Sequence, residues 1–202
     1  MKNGKITNTR TERRDAAENR QRILETASRL FEQNGVEQVS MNQIAAKAGI
    51  GPGTLYRRYR NKGELCLDLI KDNVVLYFEK IDKYLQDNQT APASIRLKGV
   101  LHLFIRFRES KAQLLKGVED AEPNYGKKSK SRSPLYDEMH QHLVNLFNEM
   151  DAEEHGQQDN IFKADVLLAA LRSENYLFQR QVRGYSPEEI VEQLCNIFIA
   201  RH

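Results

Sequence analysis

Residues 41–62 constrain this chain more than any other stretch, because they read as two short amphipathic segments parted by glycine: Met-Asn-Gln-Ile-Ala-Ala-Lys-Ala-Gly-Ile-Gly-Pro-Gly-Thr-Leu-Tyr-Arg-Arg-Tyr-Arg-Asn-Lys. Ile44, Ala45 and Ala48 fall on one face at helical spacing. Gly49 supplies the left-handed conformation that a tight turn requires, and Leu55 and Tyr59 resume the apolar face. Thr54, Tyr56, Arg57, Arg58 and Arg60 are left facing outward. The spacing therefore predicts a helix-turn-helix whose second helix offers hydroxyl and guanidinium donors to phosphates and base edges, a shape that suits the major groove of double-stranded DNA.

Charge supports this reading by its distribution rather than by its total. The net charge of +3 and pI of about 8.8 are a mild surplus for a nucleic-acid partner. Lys2, Lys5, Arg10, Arg13, Arg14, Arg20 and Arg22, however, outnumber Glu12, Asp15 and Glu18, and Lys47, Arg57, Arg58, Arg60 and Lys62 face only Glu64 nearby. A second basic run, Lys127, Lys128, Lys130 and Arg132, is interleaved with serines between Pro123 and Pro134 and reads as a solvated loop. Cys66 and Cys195 lie too far apart in sequence to suggest a disulfide framework or a paired metal-ligand motif. The absence of an apolar leader and of any 18-residue apolar run points to a cytoplasmic protein. Phosphate loops, nucleophile elbows and paired-histidine zinc helices are also missing, so an enzyme is not expected and no cofactor is implied.

Along the chain, residues 1–15 hold almost nothing to bury and are expected to form a flexible basic arm. Ile23, Ala27, Leu30 and Phe31 mark a helix that stops at Gly35, and Ser40 is placed to cap the next one. Gly51 followed by Pro52 opens the third helix, as an N-cap and a first-turn proline. A long periodic stretch from Lys62 through Leu85 predicts a fourth helix bridging two domains, 16–62 and 63–202. Helices over 93–107, 110–118, 134 to about 150, 161–181 and 186–200 complete an all-α chain of about nine helices.

The run Ile-Ala-x-x-Ala-Gly-Ile-x-x-Gly-Thr-Leu-Tyr-x-x-Tyr-x-Asn-Lys-x-x-Leu at 44–65 resembles the signature of the TetR family of bacterial transcription regulators. The resemblance extends back through 22–27 and 30–35 and covers about the first 65 to 70 residues. It implies an N-terminal three-helix DNA-binding domain and a C-terminal domain for effector binding and dimerisation. Carried over position by position, it implies DNA contacts from Ser40, Asn42, Pro52, Gly53, Thr54, Tyr56, Arg57, Arg58 and Lys62, with Tyr56 and Lys62 anchoring phosphates. Arg57 or Arg58 suits guanine, since a planar fork meets O6 and N7 together. Two departures stand out: Gly51-Pro52 where the family commonly has a serine, and Met41 where many members carry a hydroxyl.

For the second domain, the expected apolar effector cavity draws on Phe78, Leu101, His102, Phe104, Phe107, Glu119, Tyr125 and Phe147, with His102 or Glu119 as the polar contact. The expected homodimer surface draws on Leu167, Leu171, Phe178, Ile190, Leu194 and Phe198 of the last two helices. The resulting expectation is a repressor that binds a palindromic operator as a dimer and is released by a small molecule acting through the fourth helix. Two alternatives stay open: a corepressor-dependent regulator, and a helical ligand-binding or adaptor protein that does not bind DNA.

Overall fold

No glycine or proline interrupts residues 5–34, and helix α1 (Ile6–Asn34) runs through almost all of that stretch. The computed structural model describes residues 6–120, 134–154 and 159–199, and over those residues the segment expected to be an arm is helical from Ile6 onward. Ile23, Ala27 and Phe31 bury the inner face of α1. Gly35 ends it at φ +79°, a value an L side chain rarely adopts, and donates its N–H to the Phe31 carbonyl at 2.8 Å.

The remaining elements are α2 (Met41–Lys47), α3 (Pro52–Arg58), α4 (Lys62–Asp87), α5 (Ala93–Asp120), α6 (Pro134–Glu154), α7 (Asn160–Ala170), α8 (Ser173–Leu177) and α9 (Pro187–Phe198). A π-helical turn, Phe178–Val182, continues α8. All regular structure among the described residues is helical, and the fold is all-α. The first three helices form a head; α4 leaves it and enters a body built from α5 to α9. At a rise of about 1.5 Å per residue α4 spans roughly 40 Å. It buries Leu65, Cys66 and Ile70 at its head end and Tyr77, Phe78 and Ile81 in the body.

Helices expected separately over 93–107 and 110–118 are two helical stretches of α5, joined end to end across a kink at Lys111, whose backbone is non-helical (φ −130°, ψ 20°). The body departs from expectation farther along. The single helix expected over 161–181 is broken at Arg172, which is extended (φ −60°, ψ 152°) although neither proline nor glycine stands there. A tertiary contact accounts for the break: Glu119 of α5 accepts the Ser173 N–H at 2.7 Å, which satisfies one of the orphan donors at the start of α8.

Five of the six side chains expected at a dimer surface are interior to the protomer: Leu167, Leu171, Ile190, Leu194 and Phe198 are all less than 9% exposed. Packing against α5 and against Phe147 of α6, whose ring lies 6.3 Å from that of Phe198, already covers their stripe. Phe178 alone of the six is open, at 42%. Seven of the eleven large apolar side chains left exposed among the described residues lie between Ile161 and Ile197, so this end of the chain still carries uncovered apolar side chains, of which Phe178 alone was expected.

Candidate nucleic-acid interface and effector cleft

Local hydrogen bonding builds the turn between α2 and α3. Ser40 and Gln43 form a reciprocal capping box: the Gln43 N–H donates to Ser40 Oγ at 3.2 Å and the Ser40 N–H to Gln43 Oε1 at 2.7 Å. At the other end Gly49, at φ +65°, donates to the Ala46 carbonyl at 3.2 Å, and Ile50 donates to the Ala45 carbonyl at 3.0 Å. That pair of bonds is a Schellman closure, and its hydrophobic partner is the half-buried Ile50. Met41 is 7% exposed, so the thioether at this position serves the core.

In α3, Leu55 is fully buried. At about 100° per residue, Gly53 and Arg57 lie opposite it, Thr54 and Tyr56 flank them, and Arg58 comes round toward the Leu55 side while its side chain stays exposed. Arg57 is exposed, and Tyr56 is 45% exposed. Nothing in the protein lies within 4 Å of where a Gly53 Cβ would sit, so the fold does not demand glycine there. Pro52 and Asn42 are likewise exposed at the starts of their helices.

Two expected roles change. Lys62 donates to the carbonyls of Val36, Glu37 and Val39 at 2.5, 3.2 and 3.0 Å. An ammonium has three N–H donors, so this one ties down the α1–α2 loop and has none left for the phosphate it was expected to anchor. Arg58 lies beside the Tyr59 hydroxyl, where its positive charge works to lower the phenol's pKa. Its direction, at the protein edge of α3, leaves Arg57 as the better placed of the two expected readers.

The orientation of α3 is fixed by a network the sequence did not announce. Tyr59 Oη donates to Asp68 Oδ2 at 2.6 Å, and Arg20 forks onto the same carboxylate through Nε at 2.9 Å and Nη2 at 2.5 Å. One residue each from α1, the end of α3 and α4 thus meet. Burial, then the bond to Asp68, pushes the Tyr59 phenol up to about 12. Burial alone would raise Asp68, but hydrogen bonds from Arg20 and Tyr59 prevail and hold it below the ordinary 3.8.

The head meets the body at the far end of α5. Lys116 pairs with Glu37 of the α1–α2 loop at 2.7 Å and with Asp120 at 2.8 Å. A cleft of about 640 Å³ opens between this loop and the last turns of α5. The apolar cleft of the body is smaller, about 50 Å³, and is walled by Phe104, Leu115, Val118, Leu135, Met139 and Leu168, with Arg108, Glu119, Tyr136 and Arg172 as its polar groups.

Of the described residues expected to line a cavity, only Phe104 and Glu119 border this cleft. Phe78 and Phe107 belong to an adjoining aromatic cluster centred on Tyr77, with ring centroids 5.0 and 4.5 Å from the Tyr77 ring. Leu101 and Phe147 are core. His102 sits at the α5–α9 edge, where burial and then the nearby Lys98 and Arg106 lower its pKa against the pull of Glu188 and Glu192. Tyr125 lies outside the described residues. Sequence reasoning missed Arg108, although a charged residue four after Phe104 on an otherwise apolar face was the available signal.

A Schellman-closed helix pair with a basic outward helix, mounted on a helical body, defines a helix-turn-helix DNA-binding regulator. Residues 23–69 match the model of the bacterial regulatory proteins of the tetR family. An HTH-type transcriptional regulator of Staphylococcus aureus (strain USA300) is 34% identical over 191 residues, which cover 93% of this chain and 96% of that protein. The chain belongs to the TetR family. Among solved structures it is similar in fold to Thermus thermophilus FadR, a TetR-family repressor in complex with lauroyl-CoA, with a TM-score of 0.65 at 16% identity covering 91% of this chain and 96% of that one. It is also similar to NalD, the secondary repressor of the MexAB-OprM efflux pump in Pseudomonas aeruginosa, with a TM-score of 0.58 at 20% identity covering 92% and 95%.

Proposed function

We propose that this chain is a cytoplasmic, homodimeric repressor that binds a palindromic operator and releases it when a small molecule enters the body. The observation that carries the DNA contact is the outer face of α3, where Arg57, Tyr56 and Thr54 surround a glycine whose missing side chain answers to no internal contact. A glycine of this kind lets the helix backbone approach a surface closely. Ser40, Asn42 and Pro52 add contacts at the two helix starts, where N–H groups favour phosphate.

A single head reads few base pairs, so affinity requires two heads across a dyad. The exposed apolar side chains between Ile161 and Ile197 supply the surface that a second copy would cover. Bound acyl-CoA in the Thermus thermophilus neighbour supports a small-molecule site in the body. Release follows if occupancy alters how α4 and the end of α5 hold the head. By linkage, operator and effector then weaken each other by the same factor, typically about 5- to 150-fold.

The test is a footprint on DNA flanking the chain's own coding region, followed by fluorescence anisotropy on that duplex across a salt series. The reading predicts protection with dyad symmetry and a log-linear loss of affinity with salt. A flat salt dependence with no protected site would make the chain a helical binding module, and protection that appears only with an added metabolite would make it corepressor-dependent.

A further inference from the structure

The start of the chain carries its positive surplus. Residues 1–22 hold seven of the 31 Lys and Arg but only three of the 28 Asp and Glu, a surplus of four where the whole chain has three, so residues 23–202 are slightly acidic. Helix α1 nonetheless runs from Ile6, well ahead of the matched family region, which begins at residue 23. Between Ala16 and Arg22 no residue is buried, and Ile23 is the first that is. A helix stretch that is polar all round draws no stability from a core and relies on surface pairs or on a partner. Register leaves few such pairs here. Arg10 stands three and four residues before Arg13 and Arg14, spacings at which like charges repel, and of the three only Arg14 has an acid at such a spacing, Glu18.

The course of α1 shows where this charge lies. Ser28, Phe31 and Glu32 border α5. Arg20 instead meets Asp68 beside Tyr59, the residue that ends α3. Followed toward its start, the helix therefore leaves the body and passes the end of α3. Ile6 stands 14 residues before Arg20, which at a rise of about 1.5 Å per residue puts it roughly 21 Å farther out.

We infer that the first turns of α1 are a second nucleic-acid contact of each head, lying along the phosphates that flank the base pairs read by α3. The inference rests on the DNA-binding reading of α3 and extends that surface outward. A duplex held by α3 continues past the head in both directions, with one negative charge per about 1.7 Å of its axis. Arg10, Arg13 and Arg14 gain there the counter-charges that their own helix lacks, and the duplex releases condensed cations in exchange. Phosphates are the same at every base pair, so the contact adds affinity without adding base preference.

The experiment follows the full chain by fluorescence anisotropy across a salt series on two duplexes. One is trimmed to the symmetric half-sites found by footprinting; the other is lengthened at both ends by about one helical turn, roughly 10 base pairs. The native chain is compared with the triple variants Arg10→Gln, Arg13→Gln, Arg14→Gln and Arg10→Lys, Arg13→Lys, Arg14→Lys, since Gln and Lys match Arg closely in helix propensity. On the lengthened duplex the glutamine variant is expected to show a slope of log affinity against log salt smaller by about 2 to 3 per head, and a loss of at least about tenfold at 0.1 M salt. The lysine variant keeps the native slope, and on the trimmed duplex all three chains bind alike.

Equal slopes for the native and glutamine chains on the lengthened duplex overturn the contact alone, because α3 still binds. A lysine variant that loses as much as the glutamine one overturns it as well, since charge is then not what matters. Charge-dependent binding of the native chain to phosphatidylserine vesicles, with no effect of the flanks on DNA, would give these turns to a membrane surface instead. A native chain that binds neither duplex sinks the reading of α3, and this contact with it.

Discussion

Gly117 of α5 lies so close to Cys66 of α4 that a Cβ at 117 would stand 2.7 Å from the Cys66 sulfur and 2.8 Å from Val36 Cγ1. Two side chains of the head here meet bare backbone of α5. In a helix interior Gly→Ala ordinarily stabilises by about 1 kcal/mol. At this position overpacking costs about 1–3 kcal/mol and reverses the sign. Thermal denaturation of Gly117→Ala is expected to show a lowered Tm, and adding Cys66→Ala is expected to restore part of it, since the two changes share one space. A Tm raised by Gly117→Ala alone would mean that this contact is not tight.

The Arg20, Tyr59 and Asp68 network makes the head sensitive to acid. Asp68 is held below 3.8 when folded, so its contribution is complete above the ordinary carboxylate range and is lost as pH falls through that lower value. Asp68→Asn is expected to cost about 1–2 kcal/mol near neutrality, a figure kept low because Arg20 is partly open to solvent. The Tm gap between native chain and variant should close as pH is taken down from about 5 to 3. Tyr59 acts at the other extreme: with its folded value near 12, its contribution is whole below 10 and disappears as pH rises through 12. A gap independent of pH would show that Asp68 acts by shape alone.

The head was legible in the sequence because its determinants are local. Gly35, Ser40, Gly49 and the Gly51-Pro52 pair set caps and turns within a few residues of themselves, and the structure places each as its chemistry requires. Lys62 was misread because its partners, the carbonyls of Val36, Glu37 and Val39, lie more than twenty residues away and are main-chain atoms with no sequence signature. The break at Arg172 is set by Glu119, equally remote. Leu167, Leu171, Ile190, Leu194 and Phe198 follow an amphipathic pattern that is the same whether α5 and α6 or a second copy covers it. The identity of a stripe was readable; its partner was not.

Arg57 and Lys62 should separate on DNA. Arg57 faces away from the head, and Arg57→Ala is expected to lose about 1–3 kcal/mol of operator affinity and to relax base preference at one position per half-site. Lys62→Met removes three hydrogen bonds from the α1–α2 loop, so it should lower the Tm by destabilising that loop while leaving the slope of log affinity against log salt unchanged. Anisotropy across a salt series checks both. A slope smaller by about 1 in Lys62→Met would restore that side chain as a phosphate contact.

The dimer surface is testable by contrast between two kinds of apolar residue on the same helices. Phe162 and Ile197 are 65% and 71% exposed, so a carboxylate at either position meets only water in the protomer. In a dimer the same carboxylate would be buried unpaired, a cost that exceeds the roughly 1.5–3 kcal/mol gained by covering one large apolar side chain. Phe162→Glu and Ile197→Glu together are therefore expected to shift sedimentation from dimer to monomer and to weaken binding to a palindromic duplex, while the helical signal is retained. Leu167→Glu, in contrast, places the charge at a site with no exposure and should unfold the body outright. If the exposed pair leaves the dimer intact and only Leu167→Glu has an effect, two copies meet elsewhere, and the open apolar side chains of α7 and α9 belong to a different partner.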